Sequence, residues 1–377
     1  MSVEISVVES RRDLKRFVTY PIELYRGNPY FIPQLIHDEM ELLTPGKNPA
    51  FEHAEARLFL ARRDGRIVGR IAAVLSHAAN GKYGTKNLRF AWFDTIDDYE
   101  VARSLFQAVE AWGREKGLQT LSGPHSFTDL DPEGLLIEGF EELGTIATIY
   151  NYPYYPVFVE RYGFSKDIDY LEFQAQATAG TVMPEKMVKL AEWAAKRNKF
   201  RLLKYDNVKR LQRERGQELF DLLDEAFSEL YGTVPLSQTQ KEYYIKKYVP
   251  LVNLDFVELV ADEKDTLIGF IIAIPSFSRA FQKARGRYLP FGFIHLLRAM
   301  RKFDTLDFLL AGVKKEYRGK GIDLMMTIDV FRSGIAKGIR IAESNPELET
   351  NSKIQNEWKI VPVRQHKKRR IYRKQIT

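Results

Sequence analysis

The sequence predicts an α/β protein built from two similarly ordered halves. Short apolar runs alternate with amphipathic helical periods along the whole chain, the rhythm of strands interleaved with helices. Residues 66–76 and 266–276 share their spacing, with Gly69 and Gly269 in the same place. Each half then continues through a loop, an apolar strand, a turn, and a helix with a four-three-four apolar rhythm that closes in Lys-Gly. Between the halves, residues 175–183 are small, polar and loop-like, which puts a boundary near Gly180 and domains at 1–178 and 179–377.

Composition narrows the class. The chain has 377 residues, 45% of them hydrophobic, enough for two cores. It contains no Cys, which excludes disulfides, thiolate metal sites and cysteine nucleophiles. The six His are scattered without metal spacing, so no metal is expected, and His125 and His295 remain minor substrate-site candidates. No basic-then-apolar leader opens the chain and no apolar run approaches membrane-spanning length; a cytoplasmic protein is the expectation. The net charge of +7 suits an anionic small molecule as readily as nucleic acid, for which there is no strong signal.

In the first half, strands are expected at 3–8, 56–61, 66–75 (paired around Asp64-Gly65), 88–93 and 120–123. Helices are expected at 13–26 and after residue 100, where Val101, Leu105, Ala108 and Trp112 share a face; 77–87 reads as a polar loop. The turn into that second helix holds Asp94, Asp97, Asp98 and Glu100. Acids there satisfy the helix dipole and repel a phosphate. A long polar turn at 123–135 and the aromatic run 151–156 lead to a short helix at 157–162 and a closing strand at 170–174. The tyrosines of that run either line a substrate groove or pack a loop.

In the second half, helices are expected at 184–196, 217–231 and 238–248, and strands at 200–204, 256–261, 266–274 and 306–313. The insertion 277–303 is basic and aromatic. It reads first as a lid over an acceptor site, with a structural cover and then a contact for an acidic surface as the alternatives. The strand at 306–313 runs into Arg318-Gly-Lys-Gly-Ile322 and then a helix carrying Leu324, Ile328, Phe331 and Ile335. That arrangement aims free backbone N–H groups and a helix N-terminus at one spot, with no side chain on Gly319 or Gly321 to block a pyrophosphate. No Gly-Lys-Ser/Thr follows, so a P-loop does not fit. A strand at 340–344, a short stretch at 348–351, a helix at 353–358 and a basic strand at 367–374 complete the chain. The last reads as a solvated edge, with phosphate or nucleic-acid binding as the alternative.

Residues 318–323 resemble the acyl-CoA pyrophosphate loop of the GNAT N-acetyltransferase superfamily, Gln/Arg-x-x-Gly-x-Gly/Ala. Arg318 and Gly321 match; Asp323 stands where the last small residue belongs and either repels the ligand or caps the helix. The element order of both halves is also similar to that fold. The resemblance implies two tandem GNAT-like domains, each a mixed, mostly antiparallel sheet flanked by helices, with acetyl-CoA or another acyl-CoA as co-substrate in the second domain only. It implies cofactor contacts from Leu310, Ala311 and Val313 on the strand edge, from Arg318, Gly319, Lys320, Gly321 and Ile322 in the loop, and from Asn351. The implied catalytic groups are a carboxylate base, Glu349 or Glu343 with Asp307 as a further candidate, and Tyr372 as the acid. The implied activity is N-acyl transfer to a small-molecule or peptide amine, and a homo-oligomer is among the expectations. Two rivals stand beside it: an aminoacyl or long-acyl transferase of the same tandem build, and a non-catalytic ligand-binding or scaffold protein.

Overall fold

The computed structural model describes residues 2–177, 182–248, 252–351, 355, 358 and 362–376. The expected boundary at Gly180 and most of the helix expected at 353–358 lie outside them. Along the chain the elements are β1 (Glu4–Val7), α1 (Arg11–Leu24), α2 (Ile36–Leu42), β2 (Ala54–Arg63), β3 (Arg66–Ser76), α3 (His77–Tyr83), β4 (Asn87–Thr95), α4 (Tyr99–Glu115), β5 (Thr120–Gly123), β6 (Leu135–Glu138), α5 (Tyr154–Arg161) and β7 (Ser165–Gln176). Then follow α6 (Glu185–Asn198), β8 (Arg201–Leu203), α7 (Val208–Phe227), α8 (Gln238–Tyr248), β9 (Val257–Ala261), β10 (Leu267–Pro275), α9 (Ser278–Ala284), α10 (Gly292–Arg301), β11 (Thr305–Val313), α11 (Ile322–Ala336), β12 (Ile341–Ser344), β13 (Glu347–Leu348) and β14 (Val363–Gln375). No helix among the described residues is long and apolar enough to cross a membrane.

Two compact units result. The first gathers Met1–Leu171, Phe277–Arg298 and His366–Thr377; the second gathers Glu172–Ser276 and Ala299–Gln365. The first unit's sheet runs β1-β2-β3-β4-β5-β14-β7, with β6 also paired to β14. Its β4–β5 step is parallel and the neighbouring pairings are antiparallel. The second unit's sheet runs β8-β9-β10-β11-β12, closed by residues 174–176 of β7. Here β11–β12 is the parallel step. The same strand pattern in both units is the duplication seen in the sequence.

The matched glycines perform one task twice. A Cβ on Gly69 would lie 2.9 Å from side-chain carbons of Leu105 and Val101 on α4. One on Gly269 would lie 2.5 Å from Ile322 on α11. In each unit the helix that follows the fourth strand of the repeat sits directly on the bare backbone of the third. This close approach buries Val101, Leu105, Phe106 and Val109 in one core and Ile322, Met326 and Ile328 in the other.

Several expectations change. Residues 77–83 form a helix capped by the Ser76 hydroxyl, which accepts from the Ala79 N–H. Helix α7 begins at Val208, earlier than its apolar period suggests, because Asn207 caps it by accepting from the N–H groups of Lys209 and Arg210. The basic strand β14 is not a solvated edge of the second half. It pairs with β5 through Tyr372↔Gly123 and with β6 through Arg369↔Leu136, inside the first unit. Its cations are neutralised there: Arg370 grips Asp169, Arg373 meets Asp167 and Lys374 meets Glu110.

Asp169 is fully buried. Burial alone would raise its pKa, but hydrogen bonds from Arg370, Lys368 and Lys166 pull it down to about 2. Its contribution is therefore present above the ordinary carboxylate pKa and lost as pH falls through about 2. Asp169→Ala is expected to destabilise the protein by about 1.5–3 kcal/mol at neutral pH, because it removes the carboxylate shared by the partly exposed Arg370, Lys368 and Lys166. Urea unfolding at neutral and at strongly acidic pH checks this; the gap to wild type should shrink in acid.

Candidate active site

The second unit carries an opened strand pair. β11 and β12 pair only from Thr305↔Ile341 to Phe308↔Ser344. Just beyond, the β10–β11 register skips Leu309, a bulge that bends β11 away from its parallel neighbour. From Leu309 to Val313 no strand among the described residues covers the far edge of β11, and these residues are half-buried. Asn345 holds the opening: its backbone N–H donates to the Phe308 carbonyl at 3.0 Å and its side-chain amide to the Leu309 carbonyl at 3.2 Å. An extended amide-bearing chain has there a strand edge to pair with.

At the open end of that edge stands the glycine turn. Gly319 and Gly321 have φ of +75° and +85°, a left-handed backbone that glycine adopts without strain, and between them the Lys320 N–H donates to the Tyr317 carbonyl at 3.3 Å. Gly321 is the N-cap of α11, with no side chain satisfying the helix's first N–H groups. Arg318 is less a free cation than a brace. Its guanidinium donates to the carbonyls of Val313 (3.2 Å) and Ala226 (3.0 Å), tying the turn to the end of α7. Lys320 stacks its ammonium over the Tyr317 ring. Asp323, in the first turn of α11, makes neither a helix cap nor an ion pair among the described residues. Its Oδ1 is enclosed without a hydrogen-bond partner among the described residues. Bare N–H groups, two glycines and an uncovered strand edge fit an acyl-CoA.

Candidate carboxylates cluster near the point where the strands part. Asp307 and Glu343 are register partners on β11 and β12, both buried, and Glu343 accepts from the Gln174 side chain at 2.9 Å. Glu349 lies on the turn after β13; its backbone carbonyl, not its carboxylate, accepts from Gln355. Asn351 donates its N–H to the Leu348 carbonyl. Tyr372 falls in the first unit, fully buried, with its hydroxyl donating to Glu160 at 3.0 Å. It is a buried residue of that sheet, in register with Gly123 of β5. His125 is likewise buried in the first unit against the Ser122 hydroxyl.

Glu347 went unnoticed in the sequence. One carboxylate oxygen accepts from the Trp358 indole N–H at 2.6 Å; the other is buried with no partner among the described residues. The Trp358 ring in turn packs on Phe308, 5.4 Å between centroids, at the last paired position before the bulge. Burial pushes the Glu347 pKa up to about 7, against the lowering pull of the Trp358 hydrogen bond. A carboxyl that titrates near neutrality is matched to taking a proton from an ammonium. The only local sign of it is a Glu three residues past a strand, which also describes many solvated acids.

The first unit parts its strands in the same place but fills the gap from within. β4–β5 pairing stops at Arg89↔Ser122, and the β3–β4 register skips next to Trp92, whose φ is +46°. The end of β4 is then taken by tyrosines. The Thr95 N–H donates to the Tyr155 hydroxyl at 2.9 Å, and the Tyr154 hydroxyl donates to the Thr95 carbonyl at 2.8 Å. Tyr25 bonds both Tyr155 and Asp94, and Arg70 clamps Asp94 at 2.7 Å. Asp98 caps α4 with its own side chain. The aromatic run at 151–156 thus packs this unit. What remains is a cavity of about 100 Å³ walled by Pro21, Ile22, Phe31, Trp92, Leu135 and Tyr150.

Comparison with known proteins follows the same lines. No family model matches the chain. Protein YghO of Escherichia coli is 30% identical over 377 residues, spanning 97% of this chain and 94% of that protein. A bacterial ceramide synthase of Caulobacter vibrioides is 27% identical, spanning 98% of this chain and 96% of that protein. Among solved structures, a tandem GNAT protein from the clavulanic acid biosynthesis pathway superposes with a TM-score of 0.56 at 12% identity. It covers 100% of this chain and 99% of its own. A GNAT protein from Sphaerobacter thermophilus superposes with a TM-score of 0.53 at 11% identity, covering 99% and 96%. The fold is that of tandem GNAT proteins.

Proposed function

Because this chain belongs to the family of the Escherichia coli protein YghO and has the tandem GNAT fold, we propose that it is an acyl-CoA-dependent N-acyltransferase whose single donor site lies in the second unit. The observation that carries this reading is the uncovered edge of β11 from Leu309 to Val313 running into the Gly319–Gly321 turn. The related bacterial ceramide synthase suggests the substrate class. A ceramide is a fatty amide of a long-chain amino alcohol, so the donor proposed here is a fatty acyl-CoA and the acceptor a long-chain amine.

The acyl-CoA supplies an activated thioester. The chain's own groups do the rest. Backbone N–H groups of the β11 edge orient the donor and polarise its carbonyl. Glu347 takes the proton that the acceptor ammonium must lose before its nitrogen can attack. The new C–N bond forms as the C–S bond breaks; the nitrogen sheds its second proton to solvent, and the leaving thiolate takes one from solvent. Tyr154 and Tyr155 occupy the corresponding strand end of the first unit, so one donor per chain is proposed.

Calorimetric titration of CoA into the purified protein tests the site; one mole per chain is expected. Incubation with acyl-CoAs of graded length and a panel of long- and short-chain amines, read by mass spectrometry, tests the class. Two CoA sites would refute the first-unit reading. CoA binding without any amide product would refute the transferase reading.

A further inference from the structure

The insertion 277–303 has two parts with opposite characters. Its first part is anchored. Phe277, Ala280, Phe281 and Ala284 are buried, the Gln282 side chain donates to the carbonyls of Pro29 and Phe31, and the Ile36 N–H donates to the Gly286 carbonyl. The second part turns its apolar side chains outward. Leu289 is 73% exposed, Phe291 68% and Leu297 49%, and Phe293, Ile294 and Met300 are exposed with them. On α10, Phe293, Leu297 and Met300 recur at i, i+4 and i+7, one continuous apolar line. Arg298 and Arg301 stand on the adjacent line. A structural cover would bury such residues; this helix displays them.

Charge identifies what it faces. From 277 to 303 there are seven Lys and Arg and no Asp or Glu. The chain as a whole has 57 basic and 50 acidic residues, so outside this segment the two signs balance. Arg287, Arg298, Arg301 and Lys302 have no carboxylate partner among the described residues. An exposed apolar line flanked by cations that have no carboxylate partner among the described residues matches a surface that is apolar inside and negative outside. We propose that α10 and the preceding 287–291 turn form an interfacial anchor that docks this protein on an anionic lipid bilayer. The helix lies in the headgroup layer with Phe291, Phe293 and Leu297 inserted and the arginines against lipid phosphates. The inference is independent of acyl transfer, though a membrane surface is where long-chain amines and fatty chains reside.

The test is co-sedimentation of the full-length protein with phosphatidylcholine vesicles, with and without phosphatidylglycerol. Wild type is expected to sediment with the anionic vesicles, less so in high salt. The double variant Phe293→Glu/Leu297→Glu should bind them roughly tenfold more weakly or worse. Because both positions are exposed, its CoA titration and urea unfolding should match wild type, which separates lost docking from lost folding. Equal vesicle binding by wild type and variant, or none by either, overturns the proposal. A variant that changes only oligomeric state would assign the face to a second copy of the chain and also overturn it. Failure here leaves CoA binding untouched, so it is distinguishable from failure of the transferase reading.

Discussion

Glu347→Gln is expected to lower kcat by about 10²–10⁴-fold while leaving CoA affinity near wild type, the range general-base catalysis supplies. The wild-type rate should rise with pH through about 7 and then level, because burial sets the Glu347 pKa there and only the carboxylate accepts a proton. The variant should lose that limb. Stability provides an independent control. A raised carboxyl pKa contributes stability that is full below its unfolded value and lost as pH rises through about 7. Glutamine, which carries no charge to bury, should therefore be as stable as wild type or more so in mild alkali. A fall in kcat with Tm preserved assigns Glu347 to chemistry. A variant with wild-type kcat and an unchanged pH profile would return the role to Glu343, whose neighbour in register is Asp307.

Gly321→Val is expected to abolish CoA binding, by roughly 100-fold or more in Kd, equivalent to about 3 kcal/mol. The backbone there sits at φ +85°, where an L side chain costs about 1–2 kcal/mol. A Cβ would lie 2.8 Å from the Ala194 Cβ on α6. Relief of both requires the turn to swing, which withdraws the N–H groups of the α11 N-terminus. Gly319→Ala is the companion: its φ is +75°, but an added Cβ meets nothing within 4 Å. It should fold normally and weaken CoA binding less. Titration calorimetry with urea unfolding on both variants checks the pair. Undiminished CoA affinity in either correctly folded variant would remove the glycine turn from the donor site.

Much of this protein was legible in its sequence. The two halves, the strand-turn-helix holding Arg318 to Ile322, and the equivalence of Gly69 and Gly269 all lie within windows of a few tens of residues, where periodicity and turn chemistry act locally. The acidic turn of the first half was equally legible, since Asp98 caps the helix it precedes. Other features depend on partners far away along the chain. The basic run 367–374 reads as an exposed edge until Asp169, Asp167 and Glu110 are brought beside it, some two hundred residues or more distant. That pairing buries Tyr372 in the sheet of the first unit. The Tyr155 hydroxyl reaches the Thr95 N–H across 60 residues, and no local pattern announces it. Glu347 acquires its shifted pKa only from the enclosure that Trp358 and its neighbours supply. The sequence by itself determined the repeat, the strand-to-helix turns and the glycines that allow close packing, because these are properties of contiguous backbone. Tertiary structure alone decided which strand closes which sheet, which strand end stays open, and which carboxyl is buried enough to act as a base near neutral pH. Burial and cross-strand neutralisation are sums over residues the chain brings together only when folded.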